Sequence, residues 1–194
     1  MIDEAYVEFS GAPSMARHVT THPFLAVIRT LSKAHGLAGA RCGTLIAAPE
    51  VVALLRKIIP PYALTQPTIE TALAFLEPAE LGAARERVEL IRTERERLAA
   101  ALRASAAVRR VHPSAANFLL TAFHDATAAF TSARAAGLLV RDVRSQPGLG
   151  EHLRITVGTP EQNARLVSAL AGTAPGAAAL SGTAPGRSAR GGLR

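Results

Sequence analysis

Between Glu80 and Ala104 the apolar side chains Leu81, Ala84, Val88, Ile91, Leu98 and Leu102 recur at three- and four-residue steps or their sum. That spacing predicts a long amphipathic helix with one buried stripe, and a buried stripe needs an apolar surface to cover. The chain beyond it supplies that surface. Short strands are predicted at Val108–Val111, Asn117–Phe123, Leu138–Val140 and Leu153–Val157, and helices at Ala126–Ala136 and from Pro160 to about Leu170. Strands alternating with helices describe a small α/β unit, assigned here to residues 79–171.

The first 78 residues carry a different pattern. Phe24–Ile28 and Cys42–Ala47 are short apolar runs that read as buried strands, separated by a loop containing Gly36 and Gly39. Pro49 opens a helix expected to reach Ile59, with Glu50 favourable to its dipole, and Pro60-Pro61 stops it. A further helix is expected at Thr68–Leu76. Residues 172–194 contain an Ala-Gly-Pro-rich segment written twice, ten residues apart, and read as disordered because such a composition buries little apolar surface.

Composition narrows the function. The formal charge of +7 invites a nucleic-acid reading. Three of the arginines responsible, Arg187, Arg190 and Arg194, lie in the tail with no acid among them, and elsewhere arginines alternate with acids, as in Glu94-Arg95-Glu96-Arg97. Without interleaved aromatics for base stacking, those alternations read as a solvated helix face. A single cysteine, Cys42, allows no internal disulfide and fits a reducing compartment, so a cytoplasmic location is expected. No apolar run suits a membrane span. His18 and His22 have a four-residue spacing, but Thr20, Thr21 and Pro23 argue against a helix, so no metal site is expected.

Lysine is nearly absent. Of 22 basic residues only Lys33 and Lys57 are lysines. Where arginine serves for plain charge, a lysine can mark a position that needs a deprotonatable amine. Lys57, on a predicted helix, is the control, expected to do nothing chemical.

Three segments point to one site. They are Asp3-Glu4-Ala5-Tyr6; Arg29-Thr30-Leu31-Ser32-Lys33 followed by Gly36-Leu37-Ala38-Gly39-Ala40-Arg41; and Val140-Arg141-Asp142 with Leu153-Arg154-Ile155-Thr156-Val157-Gly158-Thr159. In this order they resemble the histidinol-phosphate aminotransferases, a class I/II family of fold-type I enzymes dependent on pyridoxal 5'-phosphate. The resemblance covers roughly Ile2 to Leu170. It implies the C-terminal portion of that α/β fold: a remnant of the cofactor-binding large domain in residues 1–78, and the small C-terminal domain in 79–171.

The resemblance also assigns roles. Transamination needs a lysine amine that condenses with the cofactor aldehyde and then carries protons, which falls to Lys33. Asp3 would keep the pyridine nitrogen protonated, Tyr6 would bond the ring's phenolic oxygen, and Ser32 and Arg41 would hold the phosphate. Arg154 and Arg141 would bind the anionic substrate, with Asn117 nearby. The implied substrates are an amino donor and a 2-oxo acid, histidinol phosphate with 2-oxoglutarate in histidine biosynthesis, handled by a homodimer.

Taken singly, each residue has a plainer reading: a frayed terminus for Asp3 and Tyr6, a solvated loop for Lys33, ordinary ion pairs for the arginines. Their shared order favours the common site. The chain departs from the family in two ways. His35 stands where Phe or Ala is usual, and only Met1-Ile2 precede a segment that in relatives follows a buried strand. The expectation is therefore a truncated or split chain, its N-terminal strands exposed and its activity dependent on an N-terminal half. A related aminotransferase, a phosphothreonine decarboxylase and a degenerate inactive fragment are the rival readings.

Overall fold

The computed structural model describes residues 1–173, and the tail expected to be disordered falls almost entirely outside them. Two sheets organise the chain. In the first, β1 (Ile2–Asp3) lies parallel to β2 (Ala26–Thr30), and β2 pairs antiparallel with β3 (Gly43–Ala47). The second is antiparallel throughout, with β4 (Val108–Val111), β5 (Phe118–Phe123), β6 (Arg141–Asp142) and β7 (His152–Thr156) in the order β4-β5-β7-β6.

Six α-helices accompany them among the described residues: α1 (Val7–Ser10), α2 (Pro49–Arg56), α3 (Gln66–Phe75), α4 (Pro78–Arg103), α5 (Ala126–Ala135) and α6 (Pro160–Ala171). Local chemistry sets their ends. α6 starts with a capping box in which Thr159 Oγ1 accepts from the Gln162 amide while Gln162 Oε1 accepts from the Thr159 amide. Asp125 caps α5 by accepting from the Ala128 amide at 2.8 Å.

The main core lies between the second sheet and α4, α5 and α6. Leu98 and Leu102 of α4 meet Leu119, Phe123, Leu153 and Ile155 from the sheet and Leu166 and Leu170 from α6. A smaller cluster of Phe9, Ala34 and Val88 joins α1 and the loop after β2 to the N-terminal half of α4. The long helix thus serves both sheets.

Three expectations need correction. Leu138–Val140 is not a strand, because Gly137 turns left-handed (φ 73°) and the Leu138 amide still bonds to Ala133 as part of the α5 terminus. Pairing with β7 begins only at Arg141, opposite Arg154. The helix from Pro49 ends at Arg56, short of Ile59. Glu94 and Arg95 are not on a solvated face: they are 3% and 8% exposed, at the gap in the apolar stripe between Ile91 and Leu98.

Candidate active site

β1 and β2 run parallel with Asp3 opposite Ile28, so their carboxyl ends open on one side. Ligands of α/β sheets bind beyond such strand ends. The segment after β1 is not a frayed terminus. Buried Glu4 accepts from the Ser14 hydroxyl and from the Met15 amide, each at 2.6 Å, and its own amide donates to Ile28 at 2.8 Å. These bonds fix the backbone that carries Asp3 and Tyr6.

Lys33 sits in the turn after β2, which is closed by the Leu37 amide donating to Leu31 and the Leu31 amide to Cys42. Its Nζ lies 5.4 Å from the centre of the Tyr6 ring. Tyr6 meets Phe118 of β5 edge to face at 5.5 Å, and the Arg154 guanidinium lies over the same Phe118 ring at 4.6 Å. Lys33, Tyr6, Phe118 and Arg154 therefore form a continuous path from the first sheet to the second. Asp3, Tyr6, Ser10, Ser114, Ala116 and Phe118 line a cavity alongside it.

The remaining site residues are placed as follows. Asp3 Oδ1 accepts from the Ala5 amide at 2.9 Å, and the residue is exposed at the strand end. Ser32 Oγ lies 2.8 Å from the Thr30 hydroxyl, which also reaches the Cys42 carbonyl at 3.3 Å. Arg41 adopts a left-handed backbone (φ 54°) and donates from Nη1 to the Ala38 carbonyl at 3.0 Å, within its own loop. The Asn117 carbonyl accepts from the Val157 amide at 2.9 Å, beside Phe118.

The second sheet carries an electrostatic signature. Arg141 and Arg154 stand directly opposite each other on β6 and β7, and like charges in that register destabilise a sheet. Arg154 Nε is buried without a hydrogen-bond partner. The nearby Asp142 carboxylate does not relieve them, because Arg144 grips it through Nε at 2.9 Å and Nη2 at 2.7 Å and holds its pKa at about 2. A bound anion would satisfy both arginines.

Sequence reasoning missed Phe118, Glu4 and Arg95. Arg95 was legible in principle: it follows Ile91 by four and precedes Leu98 by three, so it lies in register with the apolar stripe. Nothing in the sequence marked Glu4 as more than part of the Asp3–Tyr6 segment. Among the described residues no cluster of three metal-ligating side chains forms, and no helix is long and apolar enough to cross a membrane.

The architecture is that of a fold-type I aminotransferase. It superposes on the crystal structure of histidinol-phosphate aminotransferase from Clostridium acetobutylicum with a TM-score of 0.79 at 24% identity, covering 88% of this chain and 53% of that one. The corresponding enzyme from Sinorhizobium meliloti, solved in complex with pyridoxal-5'-phosphate, gives 0.75 at 25% identity over 93% of this chain and 49% of that one. The chain belongs to the aminotransferase class I and II family, whose model matches residues 1–170. Histidinol-phosphate aminotransferase of Stenotrophomonas maltophilia is 52% identical over 171 residues, 88% of this chain and 47% of that protein. A Xylella fastidiosa protein of the same name is 51% identical over 170 residues, again 88% and 47%. The chain spans about half the length of the curated relatives it matches.

Proposed function

We propose that this chain carries the lysine and substrate-anion half of a pyridoxal-phosphate-dependent aminotransferase site acting on histidinol phosphate and 2-oxoglutarate in histidine biosynthesis. The observation that carries the reading is the path Lys33–Tyr6–Phe118–Arg154, which links a single amine to an under-bonded guanidinium. The substrate assignment rests on the identity of about half of the aligned residues to enzymes of that name. A phosphorylated substrate suits the Arg141–Arg154 pair.

The residues present fit the cofactor. Pyridoxal phosphate supplies, when bound, an electrophilic aldehyde and a ring that accepts electrons. In this reading Lys33 engages that aldehyde and moves protons at the substrate carbon, the Asp3 carboxylate holds a proton at the pyridine nitrogen, and the Tyr6 hydroxyl bonds the phenolic oxygen. Ser32 and Arg41 would hold the phosphate, Arg41 through the guanidinium donors that its one bond to the Ala38 carbonyl leaves free. Asn117, Arg141 and Arg154 hold the substrate.

The site needs more polypeptide than residues 1–173 provide. Leu54, Ile58, Ile59, Leu64, Ile69, Leu73 and Leu76 are exposed on and around α2 and α3, with Tyr62 96% exposed among them, and Phe24 beside β2 is 98% exposed. A soluble monomer rarely leaves such a patch uncovered. In this reading the polypeptide corresponding to the other half of the family fold covers it, the N-terminal half, and the complete unit works as a homodimer in the cytoplasm. We assign residues 1–78 to the large domain and 79–171 to the small one.

The test is titration with pyridoxal phosphate, with and without a complementing N-terminal polypeptide. A visible absorbance band that survives gel filtration is expected, and it should be lost in Lys33→Ala while Lys57→Ala retains it. Identical spectra for wild type and Lys33→Ala would overturn the reading.

A further inference from the structure

Arg95 is the buried arginine among the described residues, its contacts join α1 to the loop before β5, and no role in the site above accounts for it. Its side chain is 9% exposed, on a helix where Glu94 is the other buried charge. One nitrogen, Nη1, donates to the Phe9 carbonyl and to the Ala116 carbonyl, both at 3.0 Å. Nε reaches the exposed Glu96 carboxylate at 3.1 Å, a weak partner for a buried cation.

The two carbonyls are not arbitrary. Phe9 ends the turn that begins at Tyr6, since its own amide donates to the Tyr6 carbonyl at 3.0 Å. Ala116 belongs to the loop before β5, where its amide donates to Ser114 Oγ and that hydroxyl donates to the Phe118 carbonyl at 2.6 Å. One guanidinium nitrogen therefore ties the turn that follows Tyr6 to the loop that precedes Phe118, the two residues whose rings join the lysine side of the site to the arginine side. Its neighbour Glu94 makes a parallel attachment: Oε2 accepts from Asn163 Nδ2 at 3.0 Å, and Asn163 bonds both the amide and the carbonyl of Gly158, just past β7.

Apolar residues of similar volume pack a helix stripe at lower cost than a buried cation, so packing alone does not explain an arginine here. We infer that Arg95 is a positioning residue: by holding the Phe9 and Ala116 carbonyls together it sets the Tyr6–Phe118 contact, and through it the spacing between Lys33 and Arg154. The catalytic consequence rests on the aminotransferase reading; the structural claim does not.

The chain offers its own probe, because Tyr6 and Tyr62 are its only tyrosines and it has no tryptophan. In a Tyr62→Phe background all tyrosine fluorescence and near-ultraviolet dichroism comes from Tyr6. Arg95→Met is expected to raise acrylamide quenching of Tyr6 and weaken its dichroism while far-ultraviolet dichroism holds. Arg95→Lys, which supplies a point charge without the fork, should restore the signals in part, and Arg87→Met on the exposed face should leave them unchanged. Tyr6 signals in folded Arg95→Met equal to the parent's would overturn the inference. Should the Met variant fail to fold, Arg95→Gln, which is too short and uncharged to hold both carbonyls, decides in its place, and parental Tyr6 signals in it are equally fatal.

Pyridoxal phosphate binding forms the second arm. About tenfold weaker retention in Arg95→Met is expected, the scale of one lost charge-assisted bond. If the parent takes up no cofactor through Lys33 even in complex with the complementing half, the aminotransferase reading fails, while the Tyr6 comparison still judges Arg95.

Discussion

Arg154 faces Arg141 across two strands and keeps a buried Nε without a partner, an arrangement that favours an anion between them. Arg154→Gln should weaken binding of a phosphorylated substrate by roughly tenfold to a hundredfold, the range for bonds to a charged group. Isothermal titration checks it, and undiminished affinity would remove Arg154 from the site. Asp142 offers a second measurement, because its paired bonds to Arg144 hold it at about 2. Since the folded state depresses this pKa, the stabilisation it brings is present above the ordinary carboxylate range and is lost as pH falls through about 2. A carboxyl NMR titration should show that midpoint in wild type and a return toward 3.8 in Arg144→Gln. Lys33 was singled out in the sequence by the Arg-Thr-Leu-Ser-Lys run and by the scarcity of lysine, and the structure sets its amine 5.4 Å from the centre of the Tyr6 ring. The register of Arg95 with the apolar stripe was legible but its partners were not, because a guanidinium flanked by glutamates reads the same on a wet face as on a buried one until the fold shows which carbonyls it meets.

Strands with a hydrophobic reason to be buried were visible before the fold was known. β5 and β7 supply Leu119, Phe123, Leu153 and Ile155 to the core, and each was anticipated to within a residue at its ends. β1 and β6 were not, because two-residue strands carry no periodicity, and their pairing is decided by what lies alongside. The spine of the second sheet's core is α4, where Leu102 is fully buried. Leu102→Ala should cost about 2–5 kcal/mol in denaturant unfolding, as other buried leucines do. A second test concerns β7, where buried His152 lies 3.1 Å, Nε2 to Nε2, from His112 and leaves Nδ1 unpartnered. Burial, then the neighbouring His112, push the His152 pKa below its ordinary 6.5. The folded protein thus resists a proton that the unfolded chain accepts, so stability should be level above pH 6.5 and decline below it. His152→Gln should flatten that decline in thermal unfolding between pH 7.5 and 5.5; an unchanged slope would assign the decline to other groups.

At the scale of the molecule the two sheets are unequally finished. The second has helices over its core face and a contiguous set of buried side chains, whereas in the first only Val27 is fully buried and α2 has no buried residue. Parallel strands are stable when both faces are covered, and β1 offers β2 only two residues of pairing. Leu54, Ile58 and Leu73 are exposed close to that unfinished sheet, as a surface made for further polypeptide would be. If that reading holds, Ile58→Glu with Leu73→Glu should reduce self-association of the isolated chain in light scattering, since each removes apolar area from contact with water or a neighbour. The same pair should abolish a one-to-one complex with a polypeptide corresponding to the other half of a relative such as the Stenotrophomonas maltophilia enzyme. Pyridoxal phosphate retention should disappear with the complex, although Lys33 and Arg154 are untouched. Retention equal to wild type in the double variant would mean that the apolar face does not hold the completing half, and the covering of the first sheet would have to come from another surface.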